Sequence, residues 1–162
     1  MYKEKEKVFI LLSCVLDMLT QKQILEIKEH LEKAGHETED FGTNSEESVD
    51  YTDFAIKVGE SVARKKSDRG ILVCWTGIGM CIAANKVRGV RAASCLSKEA
   101  AQLTRQHNDS NVLCISAKFT PEDQLFEIVD TWLKTEFEGG RHIPRVKKIT
   151  DYEKSSDSVI IL

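Results

Sequence analysis

Proline is nearly absent from this chain: Pro121 and Pro144 are the only two in 162 residues, so long elements can run between turns without an imposed break. Charge of one sign is also missing. The 23 Lys and Arg balance 26 Asp and Glu to a net charge of -3, which leaves no electrostatic footprint for nucleic acid or an anionic membrane surface. No apolar run is long enough to span a bilayer, and residues 8–16, the most hydrophobic stretch near the start, end at Asp17 without a small-residue cleavage site. That stretch is read as a first strand. The five cysteines, 14, 74, 81, 95 and 114, form neither a CxxC pair nor a Cys/His set with zinc spacing, so reduced thiols, a cytoplasmic setting and no metal are expected. Nucleotide motifs fail as well: Thr76-Gly77-Ile78-Gly79 lacks the third glycine of GxGxxG, and no GK[ST] follows. There is no internal repeat and no low-complexity segment.

What is present is an ordinary globular composition, 41% hydrophobic and 30% charged, at a length suited to one domain over residues 1–162, with a core of about 8–152 and a tail of 153–162. After the strand at 8–16, Thr20 and Gln23 read as a capping box for a helix whose Ile24, Ile27, Leu31 and Ala34 recur at helical spacing until Gly35. A short strand at 37–41 precedes a polar, acidic loop. Asp53 is read as the cap of a second helix running to about residue 66, with Phe54, Val58 and Val62 on one face. Then come a strand at 71–73 ending in Cys74, a glycine turn, a short helix at 80–86, and a strand at 90–96. Ser97 caps a helix over 98–107, a fifth strand occupies 111–116, and Thr120-Pro121-Glu122-Asp123 opens a last helix that Gly139-Gly140 closes. Strands alternating with helices predict an α/β fold: a three-layer, five-stranded parallel sheet with helices on both faces.

Chemistry-bearing residues gather at three places. Cys74 closes the middle strand, where loop and first-turn N–H groups of an open α/β sheet face a ligand. Such a field favours the thiolate, the form that acts as base or nucleophile; the competing reading is a small buried hydrophobe at a strand end. His107, Asn108 and Asp109 follow a helix and precede a strand, which puts them at the end of the sheet opposite Cys74. His107 is then either a helix-end residue satisfying the dipole or a group donated to a neighbouring subunit. Arg141 and Arg145 are four apart, a phosphate clamp if a helix begins there and otherwise a solvated basic patch in the positively charged stretch 141–148.

Taken together, Cys74 with Asn85-Lys86-Val87, Arg105-Gln106-His107-Asn108-Asp109 with Asn111-Val112-Leu113, and Glu138-Gly139-Gly140-Arg141-His142 with Arg145-Val146 resemble the ribose-5-phosphate isomerase B and galactose-6-phosphate isomerase family. Gly35-His36, Phe41-Gly42-Thr43 and Asp50-Tyr51 join the resemblance, which covers roughly residues 8–152. It implies a Rossmann-like, cofactor-free enzyme that interconverts aldose and ketose phosphates through an enediolate, of the pentose phosphate type or on a hexose 6-phosphate. By resemblance Cys74 is the base, and the main-chain N–H groups around Gly77 and Gly79 hold the enediolate. Thr76 and His107 open the sugar ring, Asn108 holds a hydroxyl, and Arg141 and Arg145 take the phosphate, with Asp17 and Tyr51 also against substrate. The family's sites are completed across a dimer, so a homodimer or dimer of dimers is expected, and its two-subunit members extend this to a second kind of subunit.

Two positions depart from the pattern. Met18 stands where the family has a phosphate-contacting histidine, and Trp75 replaces the glycine between Cys and Thr. A thioether cannot donate a hydrogen bond, and an indole either enters the pocket or demands a different backbone angle than glycine's. The alternative reading is therefore a non-catalytic or partner-dependent paralogue that binds a phosphorylated ligand.

Overall fold

The structure, a computed structural model, describes residues 7–12, 18–41 and 50–155, with side chains from residue 21 onward. Asp17 and Cys14 lie outside the described residues, and only the backbone of Met18 is within them. Five strands form one sheet: β1 (Lys7–Leu12), β2 (Glu37–Asp40), β3 (Arg69–Cys74), β4 (Ala92–Ser94) and β5 (Val112–Ser116), in the order β2-β1-β3-β5-β4 with every pairing parallel. The connections are α1 (Met18–Lys33), α2 (Tyr51–Ala63), α3 (Ile78–Ala84), α4 (Lys98–Asn108), α5 (Glu122–Lys134) and, after a 3-10 turn at Gly140–His142, α6 (Ile143–Ser155).

Both faces of the sheet are covered, which is why β3 and β5 read as unbroken apolar runs. Ile71, Val73, Leu113 and Ile115 point to one face and pack with Ile24, Ile27 and Leu31 of α1 and Leu125, Ile128, Val129 and Trp132 of α5. Leu72, Cys74, Val112 and Cys114 alternate to the other, against Ala55, Val58 and Val62 of α2 and Met80, Ala83 and Ala84 of α3. Full burial of each large aliphatic side chain contributes about 1.5–3 kcal/mol. The chain leaves β1 toward β2 and returns as β3 on β1's other side, so the carboxyl ends of β1 and β3 border a switch point, the usual place for a ligand.

Several boundaries differ from the sequence expectations. The first helix begins at Met18, and Gln23, instead of serving a capping box, is buried with its Nε2 donating to the Ala117 carbonyl at 3.4 Å. Asp50, not Asp53, caps α2: its Oδ1 accepts from the Thr52 N–H at 3.1 Å. With Gly77 as its N-cap, α3 begins at Ile78, two residues earlier than the apolar pattern indicated. The expected strand over 90–96 contracts to Ala92–Ser94, because the Arg91 N–H is taken by the Asn111 side chain instead of a strand partner. Pro121 occupies the N-cap position of α5 instead of the first helical one. The same helix ends at Lys134, and Gly139 and Gly140 open the 3-10 turn instead of closing α5.

Candidate functional site

Cys74 ends β3 with its sulfur on the α2/α3 face, 7% exposed. The chain turns at once, and the Gly77 N–H donates to the Cys74 Sγ at 3.1 Å. Gly77 holds φ at +72°, and an added Cβ would lie 3.0 Å from the Ile115 carbonyl carbon and the Ser116 nitrogen, so only glycine fits the turn against β5. Thr76 Oγ1 accepts from the Ile78 N–H at 3.3 Å. Gly79 lets the Tyr51 ring lie flush on the first turn of α3, where a Cβ would come within 2.9 Å of it. The turn is braced from β5: the Ala117 N–H reaches the Cys74 carbonyl at 2.9 Å, and the Trp75 carbonyl accepts both the Lys118 N–H at 3.0 Å and the Ser116 hydroxyl at 2.9 Å. First-turn N–H groups of a helix have no intrahelical acceptor, and of those in α3 the Ile78 N–H is already taken by Thr76, which leaves Gly79 and Met80 as the donors a ligand could meet.

Trp75 resolves one of the two departures. Lys65 and Asp109 are the only non-glycine residues with positive φ among the described residues, so the indole imposes no left-handed backbone. The ring projects outward, 38% exposed, with Lys118 Nζ 5.5 Å above it.

A second group assembles at the opposite end of the sheet. Gly70 at the start of β3 bonds the Asn111 carbonyl just before β5, and His107 and Asn108 end the helix leading there. The His107 ring stacks on His142 at 4.3 Å with 10° between planes. Arg141 Nε donates to His142 Nε2 at 3.3 Å, and Arg145 lies 3.5 Å from its Nδ1, while Glu138 stands 3.9 Å from His107 Nε2. Thus Arg141 and Arg145 do meet, and around a histidine that spacing alone did not mark. His142 is 3% exposed. Its pKa is held below the ordinary imidazole value by desolvation and then by the charges of His107, Arg141 and Arg145, with Glu138 opposing.

The backbone at this end is fixed by a partly buried ion network. Asp109, in the left-handed region at φ 48°, accepts from Arg91 and Arg105 at 2.9 Å each. Arg105, 2% exposed, also donates to the Ser110 and Thr135 carbonyls. The Glu138 N–H bonds the Gln106 carbonyl at 3.1 Å, which carries the 3-10 turn to His107. The i,i+4 spacing of Arg105 and Asp109 was the available signal for this network.

Donor atoms of His107, Glu138 and His142 lie within 4.8 Å of one another, a set that could in principle hold a cation. Two guanidinium groups facing both nitrogens of His142 make the position hostile to one and suited to an anion such as a phosphate. Asn108 is exposed at the end of α4 and borders a separate pocket of about 420 Å³ along β4, lined also by Asn85, Arg91, Thr104 and Ile149. Among the described residues no helix is long and apolar enough to cross a membrane.

A parallel α/β sheet with a thiol and a glycine turn at the carboxyl end of its middle strand, and a cluster of arginines and histidines at the other end whose charge suits an anion, fits an α/β enzyme for a small anionic substrate. The sequence matches the ribose/galactose isomerase family over residues 17–149. It is 47% identical over 142 residues to the probable ribose-5-phosphate isomerase B of Mycoplasma genitalium, covering 86% of this chain and 91% of that protein. The fold is similar to the ribose-5-phosphate isomerase B of Clostridium thermocellum, with a TM-score of 0.85 and 48% identity over 92% of this chain and 98% of that one. It is equally similar to the Mycoplasma genitalium enzyme with bound ribulose-5-phosphate, with a TM-score of 0.85 and 42% identity over 91% and 96%. The chain belongs to the ribose/galactose isomerase family and is a sugar-phosphate isomerase of the aldose–ketose class.

Proposed function

We propose that the chain interconverts ribose 5-phosphate and ribulose 5-phosphate without a cofactor, with Cys74 as the base and the active site assembled from two copies of the chain. The single observation that carries this reading is the Gly77 N–H held 3.1 Å from the Cys74 sulfur at the carboxyl end of β3. A proton alpha to a carbonyl is removed only by a positioned base working beside donors for the developing oxyanion, and both stand on this one turn.

In the open-chain aldose, the Cys74 thiolate takes the proton from C2 while the electron pair moves to make the C1–C2 double bond and place negative charge on O1. The N–H groups of Gly79 and the first turn of α3 hold that oxygen; the Gly77 N–H is committed to the sulfur and steadies its anion. The thiol then returns the proton to C1 while the O2 proton passes to O1, which gives the ketose. Thr76 and His107 serve ring opening, Asn108 and Tyr51 contact the sugar, and Arg141 and Arg145 hold the phosphate. Asp17, outside the described residues, completes the list on resemblance alone. The pentose is favoured over a hexose 6-phosphate by the relative that holds ribulose-5-phosphate.

His107 and the arginines lie at the far end of the sheet from Cys74, so one copy does not bring base and phosphate clamp together. A homodimer, in which each sulfur faces a partner's arginines, removes the difficulty. Ile78 and Ile82 on α3, Leu103 on α4 and Ile143 and Ile149 near the arginines are all exposed and supply apolar surface for it.

The test is proton exchange at C2 of ribose 5-phosphate in deuterated water, followed by NMR. Cys74→Ala is expected to lower exchange and turnover by roughly 10²–10⁴-fold, the usual contribution of a general base, with the thermal midpoint little changed. Exchange at the parent's rate would take the thiol out of the mechanism.

A further inference from the structure

Ser116 is the last residue of β5 and the register partner of Cys74, and none of its surface is exposed. A buried hydroxyl has to be paired, and this one is paired in both senses. Its proton goes across to the Trp75 carbonyl at 2.9 Å, while its oxygen accepts the Phe119 N–H, also at 2.9 Å. The second bond has the form of a helix cap, a side-chain oxygen on the N–H three residues later, and the Ser116 carbonyl accepts the Thr120 N–H at 3.1 Å to complete the turn. One side chain therefore joins the turn that follows β5 to the turn that follows β3.

The Trp75 carbonyl has two donors, and they depend on each other. Lys118, whose N–H is the other donor at 3.0 Å, sits inside the turn that Ser116 caps. Removing the hydroxyl takes one donor away and loosens the support of the second. What the two donors hold is the peptide between Trp75 and Thr76. In a trans peptide the carbonyl and the next N–H point in opposite directions, so a carbonyl drawn to β5 turns the Thr76 N–H away from β5 and sets the start of the bend over Thr76, Gly77 and Ile78. That bend brings the Gly77 N–H to the Cys74 sulfur at 3.1 Å and the Ile78 N–H to the Thr76 hydroxyl at 3.3 Å. The turn after β5 is anchored in its own right, since buried Gln23 of α1 donates to the Ala117 carbonyl.

We propose that Ser116 is a positioning residue for the isomerisation, acting through the Trp75 carbonyl to hold the Cys74 sulfur and the N–H groups of the glycine turn against the reacting carbons. The catalytic consequence rests on the reading of Cys74 as the base, while the mechanical link between the two turns does not. Misplacing a reacting group by about 1 Å costs on the order of 10²-fold in rate. The arginines proposed to hold the phosphate stand at the other end of the sheet, so the loss falls on kcat and spares KM.

The experiment compares Ser116→Ala with Ile128→Val in the full chain. The second variant removes one buried methylene from the opposite face of the sheet and serves as the control for a loss of stability alone. Ser116→Ala should lower kcat for ribose 5-phosphate by roughly 10–10²-fold with KM within about twofold, and Ile128→Val should keep the parent's kcat. Amide hydrogen exchange followed by NMR gives a readout independent of turnover: the Gly77 and Lys118 amides should exchange at least about tenfold faster in Ser116→Ala and at the parent's rate in Ile128→Val. A kcat within about twofold of the parent's, an equal loss of kcat in Ile128→Val, a rise in KM that matches the fall in kcat, or unchanged exchange at Gly77 would each overturn the proposal. If the parent does not isomerise the sugar but Gly77 exchange still rises in Ser116→Ala, the isomerase reading fails and the link between the turns stands.

Discussion

A neutral imidazole has one nitrogen that accepts and one that donates, yet both nitrogens of His142 face guanidinium donors, from Arg141 at 3.3 Å and Arg145 at 3.5 Å. Burial disfavours the charged ring, and protonation would also add a third positive charge to this cluster, so its pKa falls below the ordinary value. The consequence for stability has the opposite sign from that of a salt-bridged histidine. Between the native pKa and the unfolded value of about 6.5, the unfolded chain binds more protons than the native one, so stability rises with pH through that window and is lost as pH falls through it. Urea midpoints followed from about pH 7 down to 5 should therefore drop for the parent and drop less for His142→Gln; equal slopes would mean that the ring titrates normally. Phosphate or a sugar phosphate, by neutralising the guanidinium groups, should flatten the same slope. His142 was visible in the sequence only as part of a family motif, because its role depends on a contact with His107, 35 positions earlier, that no periodicity reports.

Among the elements, β3, its turn and α3 were legible because everything they need is local: a run buried on both faces, a terminal thiol, and glycines where the backbone must close on β5. α6 was not. Its residues 143–155 bury no side chain, and its Ile143 and Ile149 point outward, so the apolar stripe that betrays a helix is absent. The end of α5 misled for a related reason. Two glycines looked like a terminator, whereas the helix stops at Lys134, where Arg105 reaches the Thr135 carbonyl and Trp132 is pinned to Ser110 at 2.8 Å. The corner formed by α4, Asp109 and β5 is thus held by one carboxylate between two arginines, and its loss is testable. Asp109→Ala leaves Arg105 buried with two carbonyl acceptors and Glu136 as its remaining countercharge, and should lower unfolding free energy by about 2 kcal/mol, less than for a fully buried pair because Asp109 is one third exposed. Chemical denaturation measures this directly. Asp109→Asn, which keeps one acceptor and tolerates the left-handed backbone, should lose less.

At the scale of the whole molecule, the parallel sheet separates what the proposed mechanism must bring together. Four residue steps of β3 separate Gly70, near His107 and the arginines, from Cys74, a span of about 13 Å along the strand before any side chain is counted. No rotamer change closes that distance, whereas a second copy placed with its basic end against the first copy's glycine turn closes it twice by symmetry. Two inactive variants then become informative. Cys74→Ala lacks the base and keeps the clamp, while the double variant Arg141→Ala, Arg145→Ala keeps the base and lacks the clamp. Unfolded together in equal amounts and refolded, they should give about half heterodimers, each with one intact site of two, and so recover about a quarter of the parent's turnover. Each variant refolded alone should stay inactive. Failure of the mixture to exceed the two separate controls, with size-exclusion chromatography showing that mixed dimers had formed, would place base and phosphate clamp in the same subunit and require a rearrangement of the chain around β3 to join them.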